Sequence, residues 1–400
     1  MSSAPQVSEW QLGWRIAGAC ALANATGISL LFYTFNMFLL PMSIDLGLTR
    51  GQTGTVQALV IMAALGAPII GRIADRIGFH AAFLVCTAIM AAVELGLARW
   101  GNSFALLALG TGLIGFIGGG SSSVLLTRPI NAHFRRARGL ALGLVGVGIS
   151  LTTIAVPPWL QGVIARDGWR QGYVTLAFIA VVIGLPLVLL LMPRSVSTRG
   201  STPHGKGDYA FLRLRDFWLM AGSNVLANVA TSGAISQLSP MLQDKGLTAA
   251  SAALGLSAFA TGQFVGKLGG GWLLDRINPQ LVASVLTAVP ALAFAILLYG
   301  PPETTPLFLA AALLGLLQGA DVSIFAFFVA HRFPVAQYGT VFGALHGLGW
   351  IGTATGVIGF GVTYDLAHGY WLAQGLSLGF LVVAAALIPL IRLRAPAEES

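Results

Sequence analysis

The sequence predicts an all-α membrane protein in which twelve transmembrane helices form two bundles of six. Three observations predict this fold: an apolar composition, a series of long apolar runs, and an internal repeat of 200 residues. Of the 400 residues, 56% are hydrophobic and only 9% are charged, whereas soluble domains carry about 25% charged residues. Only two cysteines occur, so no disulfide framework is expected.

Each predicted span is a run of about 20 mostly apolar residues, the length that crosses the hydrocarbon core as a helix. The 51 glycines are compatible with helices, because glycine lets membrane helices approach one another closely. The short alternating segments of an outer-membrane barrel are not seen. The predicted spans are 16–40, 53–71, 81–98, 103–127, 139–160, 171–191, 217–242, 249–273, 281–299, 306–329, 338–364 and 370–391.

The distribution of Lys and Arg predicts the orientation of these spans. The net charge of +8 does not require a nucleic-acid partner, because Lys and Arg collect in the cytoplasmic loops of membrane proteins. If both termini are inside, the inner segments hold sixteen Lys and Arg residues and the outer segments hold only Arg50, Arg99, Arg166, Arg170 and Lys245. We therefore expect a multi-pass protein of the cell (inner) membrane with both termini in the cytoplasm.

Two halves of the sequence correspond at an offset of 200 residues. The longest polar break, 193–215, lies between them and predicts a cytoplasmic linker between an N-terminal bundle, 1–192, and a C-terminal bundle, 216–400. Transporters are often built from such repeats, with the substrate held near the membrane midplane. The corresponding pairs are Gly71 with Gly271, Asp75 with Asp275, Arg76 with Arg276, Ile77 with Ile277, Gly139 with Gly339 and Gly143 with Gly343.

The loop sequence GRIADRIG, Gly71 to Gly78, resembles the G-x-x-x-D-R-x-G signature of the major facilitator superfamily, and GWLLDRIN is a weaker copy in the second half. The resemblance implies the twelve-helix fold of that superfamily and a gating role for the loop at the cytoplasmic face. A carboxylate there can accept from a helix N-terminus or from nearby arginines; the alternative is a plain solvated turn. The expected gating residues are Gly71, Asp75, Arg76, Gly78, Arg136, Arg138, Gly271, Asp275 and Arg276.

Two further stretches resemble bacterial relatives of the monocarboxylate transporters. They are HFRRARGLALGLVGVGISL, His133 to Leu151, and GLLQGADVSIFAFFVAHRF, Gly315 to Phe333. This narrower resemblance implies that the substrate is a small organic anion.

Three ionisable residues of the second half are predicted to lie at similar depths in the membrane. An ionisable group inside a span costs about 3 kcal/mol on insertion scales, so each needs a reason. At 1.5 Å per residue, Lys267 lies about 9 Å from the cytoplasmic end of its span, and Asp321 and His346 each about 12 Å from theirs. Their counterparts in the first half, Ala67, Ser121 and Gly146, are uncharged. Glu94, near the outer end of its span, is expected to reach the lipid headgroups.

The monocarboxylate resemblance implies that Lys267 holds a substrate carboxylate. Those transporters carry an Asp and an Arg one turn apart in span 8, the Arg four residues before a Gly. Here Lys267 stands four residues before Gly271, and Gln263 takes the Asp position. Lys lacks the bidentate fork of Arg, so selectivity for a carboxylate should be looser. The alternative is a permanent ion pair between Lys267 and Asp321.

The span-1 lysine of that family is missing from the comparable stretch FYTFNMF, which leaves Asp321 or His346 as a candidate proton carrier. The asparagines of the expected site have interhelical hydrogen bonding as their alternative role, and His346 has packing. The expected substrate-binding residues are Lys267, Gln263, Asp321, His346, Asn36, Asn224, Asn228 and Ser121.

We therefore expect a secondary transporter that moves a small organic anion, a monocarboxylate in the first instance, by alternating access, with proton symport left open. The alternative within the same fold is an exporter of a drug or metabolite. It is less favoured because Thr111 occupies the span-4 arginine position of proton antiporters. A membrane enzyme is not expected, since the six histidines are scattered along the chain. The expected partners are the anion, the bilayer and, for symport, protons; no cofactor or metal is predicted, and a monomer is expected.

Overall fold

The computed structural model describes residues 9–392 except 122–124, 127–128, 131–132, 135–137, 194–208, 275 and 335–336. Every regular element in this described part is helical. The α-helices are α1 Trp10–Thr26, α2 Ile28–Thr34, α3 Asn36–Leu46, α4 Arg50–Ala58, α5 Ala63–Ile77, α6 Phe79–Trp100, α7 Phe104–Gly118, α8 Arg138–Asp167, α9 Trp169–Phe178, α10 Leu185–Leu191, α11 Arg215–Ser236, α12 Leu238–Asp244, α13 Ala249–Leu274, α14 Pro279–Tyr299, α15 Thr304–Arg332, α16 Tyr338–Ala367 and α17 Trp371–Leu387.

Each of the twelve predicted spans overlaps at least one of these helices. In the described residues, eight helical stretches are long and apolar enough to cross a membrane, or nine if α1 and α2, bent by 41° at Gly27, form one span. The spans predicted at 53–71, 217–242 and 249–273 are not among these stretches, the first because neither α4 nor α5 alone is long enough. A 3-10 turn, Leu59–Met62, separates α4 from α5, while α11 and α13 bury amide side chains.

The chain forms two compact units. The first comprises Met1–Phe32, Val60–Thr152 and Asp167–Pro203; the second comprises Tyr33–Leu59, Thr153–Arg166 and His204–Ser400. Two stretches of the sequence's first half thus group with its second half. The six-helix bundles with a linker at 193–215 stay a prediction. The two units are defined by contacts between residues, and contacts do not show which helices move together.

An apolar core holds the first unit together. Aromatic and aliphatic residues of α1, α6 and the segment around Phe134 are buried there, and the rings of Phe79 and Phe83 stack with centroids 5.8 Å apart. Within a membrane such a core is stabilised by van der Waals packing between the helices, because lipid tails are as apolar as these side chains. Gly13 lies against the ring of Phe134, so α1 needs a glycine at this contact.

Glu94 belongs to the first unit and does not reach the headgroups, so that expectation was wrong. Its side chain is only 2% exposed. It lies close to Tyr173 of α9, which itself contacts Thr111 of α7, and both of these side chains are fully buried. The depth of a residue follows from counting along its span, but the face of the helix it occupies does not. α6 turns Glu94 toward its neighbouring helices instead of toward lipid.

Candidate functional site

The candidate site of the second unit is built on two helices that pack through glycines. A Cβ on Gly262 or Gly266 of α13 would lie 1.9 or 2.1 Å from a carbonyl oxygen of α15. On the facing side, a Cβ on Gly319 would lie 2.8 Å from the backbone nitrogen of Lys267. Small residues allow such close approach between membrane helices. The contact places the Lys267 turn of α13 against the stretch of α15 that carries Gln318 and Asp321.

Lys267 and Gln263 contact each other, as the one-turn spacing predicts. The Lys267 ammonium donates to Oε1 of Gln263 over 3.5 Å. Nε2 of the same amide donates to the hydroxyl of Tyr33 over 2.8 Å. Gln263 is 1% exposed, so its amide has little freedom to exchange these partners for water. The three side chains form one hydrogen-bonded row from the cation to Tyr33.

Asp321 lies on a second row of polar side chains. Its carboxyl group lies close to the Asn228 amide on α11. Asn228 also donates to Oδ1 of Asn224 over 2.7 Å and accepts from the Thr353 hydroxyl over 3.4 Å. Asn224 in turn donates to the Leu345 carbonyl of α16 over 2.8 Å. The asparagines therefore tie α11 to α15 and α16, which is the interhelical role named as their alternative.

Gln318 extends the first row from Tyr33 to Thr231 of α11, and Asp321 of the second row lies near enough to Tyr33 to interact with it electrostatically. The Gln318 side chain is within hydrogen-bonding reach of the Tyr33 hydroxyl, and its Oε1 accepts from the Thr231 hydroxyl over 3.3 Å. We call the resulting set the polar cluster and define it by the residues Tyr33, Asn228, Thr231, Gln263, Lys267, Gln318 and Asp321. One ammonium and one carboxyl group thus stand among neutral amides and hydroxyls, the ammonium in contact with Gln263 and the carboxyl group close to Asn228.

The remaining residues of the expected site lie elsewhere. Asn36 is buried and donates to the backbone carbonyl of Tyr33 over 2.7 Å, so it contacts the backbone of one residue of the polar cluster. His346 is exposed and stacks on Phe342 of its own helix, with Trp350 on its other side. Ser121 belongs to the first unit, where its hydroxyl accepts from the Ile28 backbone over 3.1 Å.

Two members of the polar cluster, Tyr33 and Gln318, were missed by the reasoning from sequence. Tyr33 lies 230 residues before its partner Gln263, and a tyrosine among aromatic residues carries no spacing signal. Gln318 stands three residues before Asp321 on the same helix. A search for amides one turn from an ionisable residue could have found it, as it found Gln263.

The expected gating motif is described in part. Gly71 lies buried within α5, Arg76 is exposed in its last turn, and Gly78 turns the chain into α6 at φ +84°. In the second half, Gly271 has open space around it, and the Arg276 guanidinium lies over the Trp272 ring at 4.7 Å. Other parts of the motif lie outside the described residues, namely Arg136, Asp275 and the side chains of Asp75 and Arg138.

A second charged cluster, also missed, surrounds the start of α4. The Asp365 carboxylate accepts from the backbone nitrogens of Arg50 and Gly51 over 3.0 and 2.7 Å. The Arg50 side chain donates to the Tyr370 hydroxyl over 3.0 Å and lies 3.7 Å from the Asp244 carboxylate. Burial raises the pKa of the Asp244 carboxyl, and the neighbouring Arg50 acts in the opposite direction. This cluster joins α4 to the C-terminal ends of α12 and α16.

The comparisons with known proteins agree with this architecture. A family model described as the Major Facilitator Superfamily matches residues 22–239 and 217–400. The chain is 27% identical over 400 residues to the probable nitrate/nitrite transporter NarK2 of Mycobacterium tuberculosis, which covers 95% of this chain and 98% of that protein. It is also 27% identical over 367 residues to monocarboxylate transporter 11 of Mus musculus, covering 86% of this chain and 77% of that protein.

Solved transporters share the fold. A bacterial homologue of the human lysosomal transporter Spinster, inward-facing and occupied, matches with a TM-score of 0.76 and 17% identity over 96% of this chain and 98% of its own. The nucleoside transporter NupG matches with a TM-score of 0.77 and 15% identity over 95% and 100%. The family and these relatives are transporters and not enzymes. The chain therefore belongs to the Major Facilitator Superfamily, as a multi-pass membrane transporter of a small-molecule substrate.

Proposed function

We propose that this transporter moves a small organic anion, a monocarboxylate, across the membrane by alternating access, and that Lys267 holds the anion. One observation carries the proposal: Lys267 stands in the polar cluster and contacts a neutral amide there, whereas the corresponding position of the first half is an alanine. A charge inside a span is costly and marks a substrate or ion pathway by default. The ammonium of Lys267 supplies the positive charge that an incoming carboxylate would bind.

The named relatives support an anion of this size. Nitrate, nitrite and the monocarboxylates, the substrates in those names, are small monoanions. Lys267 suits such a charge without demanding the planar geometry that an arginine fork recognises. Alternating access further requires two halves that move as bodies, and the repeat at an offset of 200 with its polar break at 193–215 supports that division.

The test is counterflow in proteoliposomes containing the purified protein. Radiolabelled lactate, acetate and nitrate are the probes, and unlabelled anion is preloaded inside. We expect Lys267→Ala to lower uptake of the transported probe to the level of empty liposomes, because the carboxylate then loses its counter-charge in the polar cluster. Lys245→Ala, which removes a lysine from the turn after α12, should transport like the unaltered protein.

Full uptake by Lys267→Ala would overturn the proposal. Lys267→Arg gives a second test of the same site. It should keep transport of at least one probe while changing the ratio of lactate to nitrate uptake, because the fork of Arg selects the geometry of its partner.

A further inference from the structure

Tyr33 stands at the end of α2, just before the helix is interrupted at Phe35. It comes from the first predicted span, yet its side chain contacts α13 and α15. Its ring lies 6.0 Å from that of Phe259, one turn before Gln263, and its hydroxyl reaches Gln263 and Gln318. The Asn36 amide binds the Tyr33 carbonyl over 2.7 Å and holds the backbone at the interruption.

The Lys267 ammonium, which can only donate, faces the accepting end of the Gln263 amide, and the Tyr33 hydroxyl holds the donating end in place. A glutamine side chain has a donating and an accepting end, and a rotation of 180° exchanges them. Here Nε2 donates to Tyr33 over 2.8 Å, which leaves Oε1 for the Lys267 ammonium at 3.5 Å. Were the amide reversed, two donors would face each other across the Lys267 contact, and the ammonium would be pushed out of its present position.

We propose that Tyr33 is a positioning residue of the anion site, which acts on Lys267 through the Gln263 amide. This inference rests on the proposed function, because it assumes that Lys267 binds the substrate. The Tyr33 hydroxyl fixes the amide, the amide oxygen orients the ammonium, and the oriented ammonium receives the anion. Tyr33 makes no contact with the anion in this scheme, so its effect must disappear when Gln263 can no longer transmit it.

The experiment is a double-mutant cycle on Tyr33 and Gln263 in the proteoliposome assay with radiolabelled lactate. Tyr33→Phe removes the hydroxyl and keeps the ring against Phe259. We expect it to raise KM for lactate about two- to twelvefold, the equivalent of one net hydrogen bond, with kcat changed less than about twofold. Tyr299→Phe is the matched control, since Tyr299 is 85% exposed, and it should leave KM unchanged.

The second arm uses Gln263→Leu, which removes the amide. We expect Gln263→Leu to raise KM by itself, and the addition of Tyr33→Phe to change KM by less than about twofold further. A direct contact between Tyr33 and the anion, or a role in helix packing alone, predicts instead that the two effects multiply.

The outcomes separate this inference from the proposed function. If Lys267→Ala keeps full uptake, both are overturned. If Lys267→Ala abolishes uptake but Tyr33→Phe leaves KM unchanged, or its effect multiplies with that of Gln263→Leu, only the positioning role of Tyr33 is overturned. A thermal-shift titration of each variant with lactate checks that the protein is folded, so that a lost effect is not read from unfolded material.

Discussion

At the scale of single residues, Asp321 is the carboxyl group that we propose exchanges a proton during transport. It stands in a transmembrane helix among neutral side chains, with Asn228 as its partner and Tyr33 and Lys267 as the other ionisable members of the polar cluster. Burying an ionised carboxylate costs far more than burying a neutral acid. Exchange of a proton with Asp321 would therefore couple the charge of the polar cluster to the arrival of an anion, as proton symport requires.

We predict that Asp321→Asn separates exchange from proton-driven uptake. Asparagine has nearly the shape of the protonated acid but cannot release a proton. Counterflow of lactate with the same pH on both sides should continue. An imposed pH gradient, however, should no longer increase lactate uptake above the uptake measured without a gradient. Both are measured in the same liposome preparation, with Ser323→Ala on the same helix as the control. Accumulation by Asp321→Asn equal to that of the unaltered protein would assign proton coupling to another group.

Contacts within one helix could be predicted from the sequence, whereas contacts between helices could not. Lys267 and Gln263 are one turn apart, so their contact followed from the spacing in the sequence and is found over 3.5 Å. Counting along a span gave Asp321 and His346 similar depths, but depth does not specify the face. Asp321 faces α11, whereas His346 is exposed and stacks on Phe342. The contact of Tyr33 with Gln263 spans 230 residues and needed the folded chain.

At the scale of helices, the glycines of α13 decide where Lys267 stands. Gly262 and Gly266 let the backbone of α15 approach, and the next residue after Gly266 is the cation. The sequence predicted close packing from glycine content in general. It could not distinguish the glycines that face a helix from those that do not. Gly269 and Gly271 lie in the same segment, yet a Cβ added to either would meet no atom within 4 Å.

We predict that Gly266→Ala lowers both stability and transport, whereas Gly269→Ala changes neither. A Cβ at position 266 would lie 2.1 Å from the Leu316 carbonyl oxygen, so α13 and α15 would have to separate. Overpacking of this kind costs about 1 to 3 kcal/mol, and the separation would move Lys267. The midpoint of thermal unfolding in detergent and lactate counterflow are the measurements. Equal midpoints for the two variants would mean that α13 and α15 can separate without a loss of stability.

The first backbone nitrogens of α4 are bound by two side chains, one from α16 and one from the residue that precedes the helix. Asp365 of α16 accepts from the first two backbone nitrogens of the helix, and the Thr49 hydroxyl accepts from the third, that of Gln52. These nitrogens have no partner within the helix itself, so such contacts stabilise the terminus. The Thr49–Gln52 capping box could be read from the sequence, but the contribution of Asp365 could not, since it comes from more than 300 residues away.

We predict that Asp365→Ala destabilises the protein by about 1 to 3 kcal/mol, the range for hydrogen bonds to a charged group that leave their partners unsatisfied. Glu303→Ala is the control, because Glu303 also stands at the start of a helix, α15, but is exposed and makes no capping hydrogen bond. Unfolding of both variants by increasing denaturant concentration gives the comparison. A loss of stability for Glu303→Ala as large as for Asp365→Ala would show that the effect is not specific to the α4 contact.

At the scale of the whole molecule, the two halves repeat individual side-chain contacts. Asn24 donates to the Val145 carbonyl over 3.0 Å in the first unit, and Asn224 donates to the Leu345 carbonyl over 2.8 Å in the second. The corresponding residues of the two pairs differ by 200 positions, so the repeat extends to this contact. Gly119 lies against the backbone of Ala67 as Gly319 lies against that of Lys267. The packing is therefore repeated, whereas the charged side chain occurs in one copy only.

The orientation of this duplicated framework follows from charge, and we predict that both termini lie in the cytoplasm. With that orientation the inner segments carry sixteen Lys and Arg residues and the outer segments five, which is the bias that loops of membrane proteins show. Green fluorescent protein at the C-terminus should fluoresce, and alkaline phosphatase at the same position should be inactive. Phosphatase inserted after Glu303, in the predicted outer loop before α15, should be active. The opposite pattern in both positions would invert the molecule and move the G-x-x-x-D-R-x-G loop, Gly71 to Gly78, to the outer face.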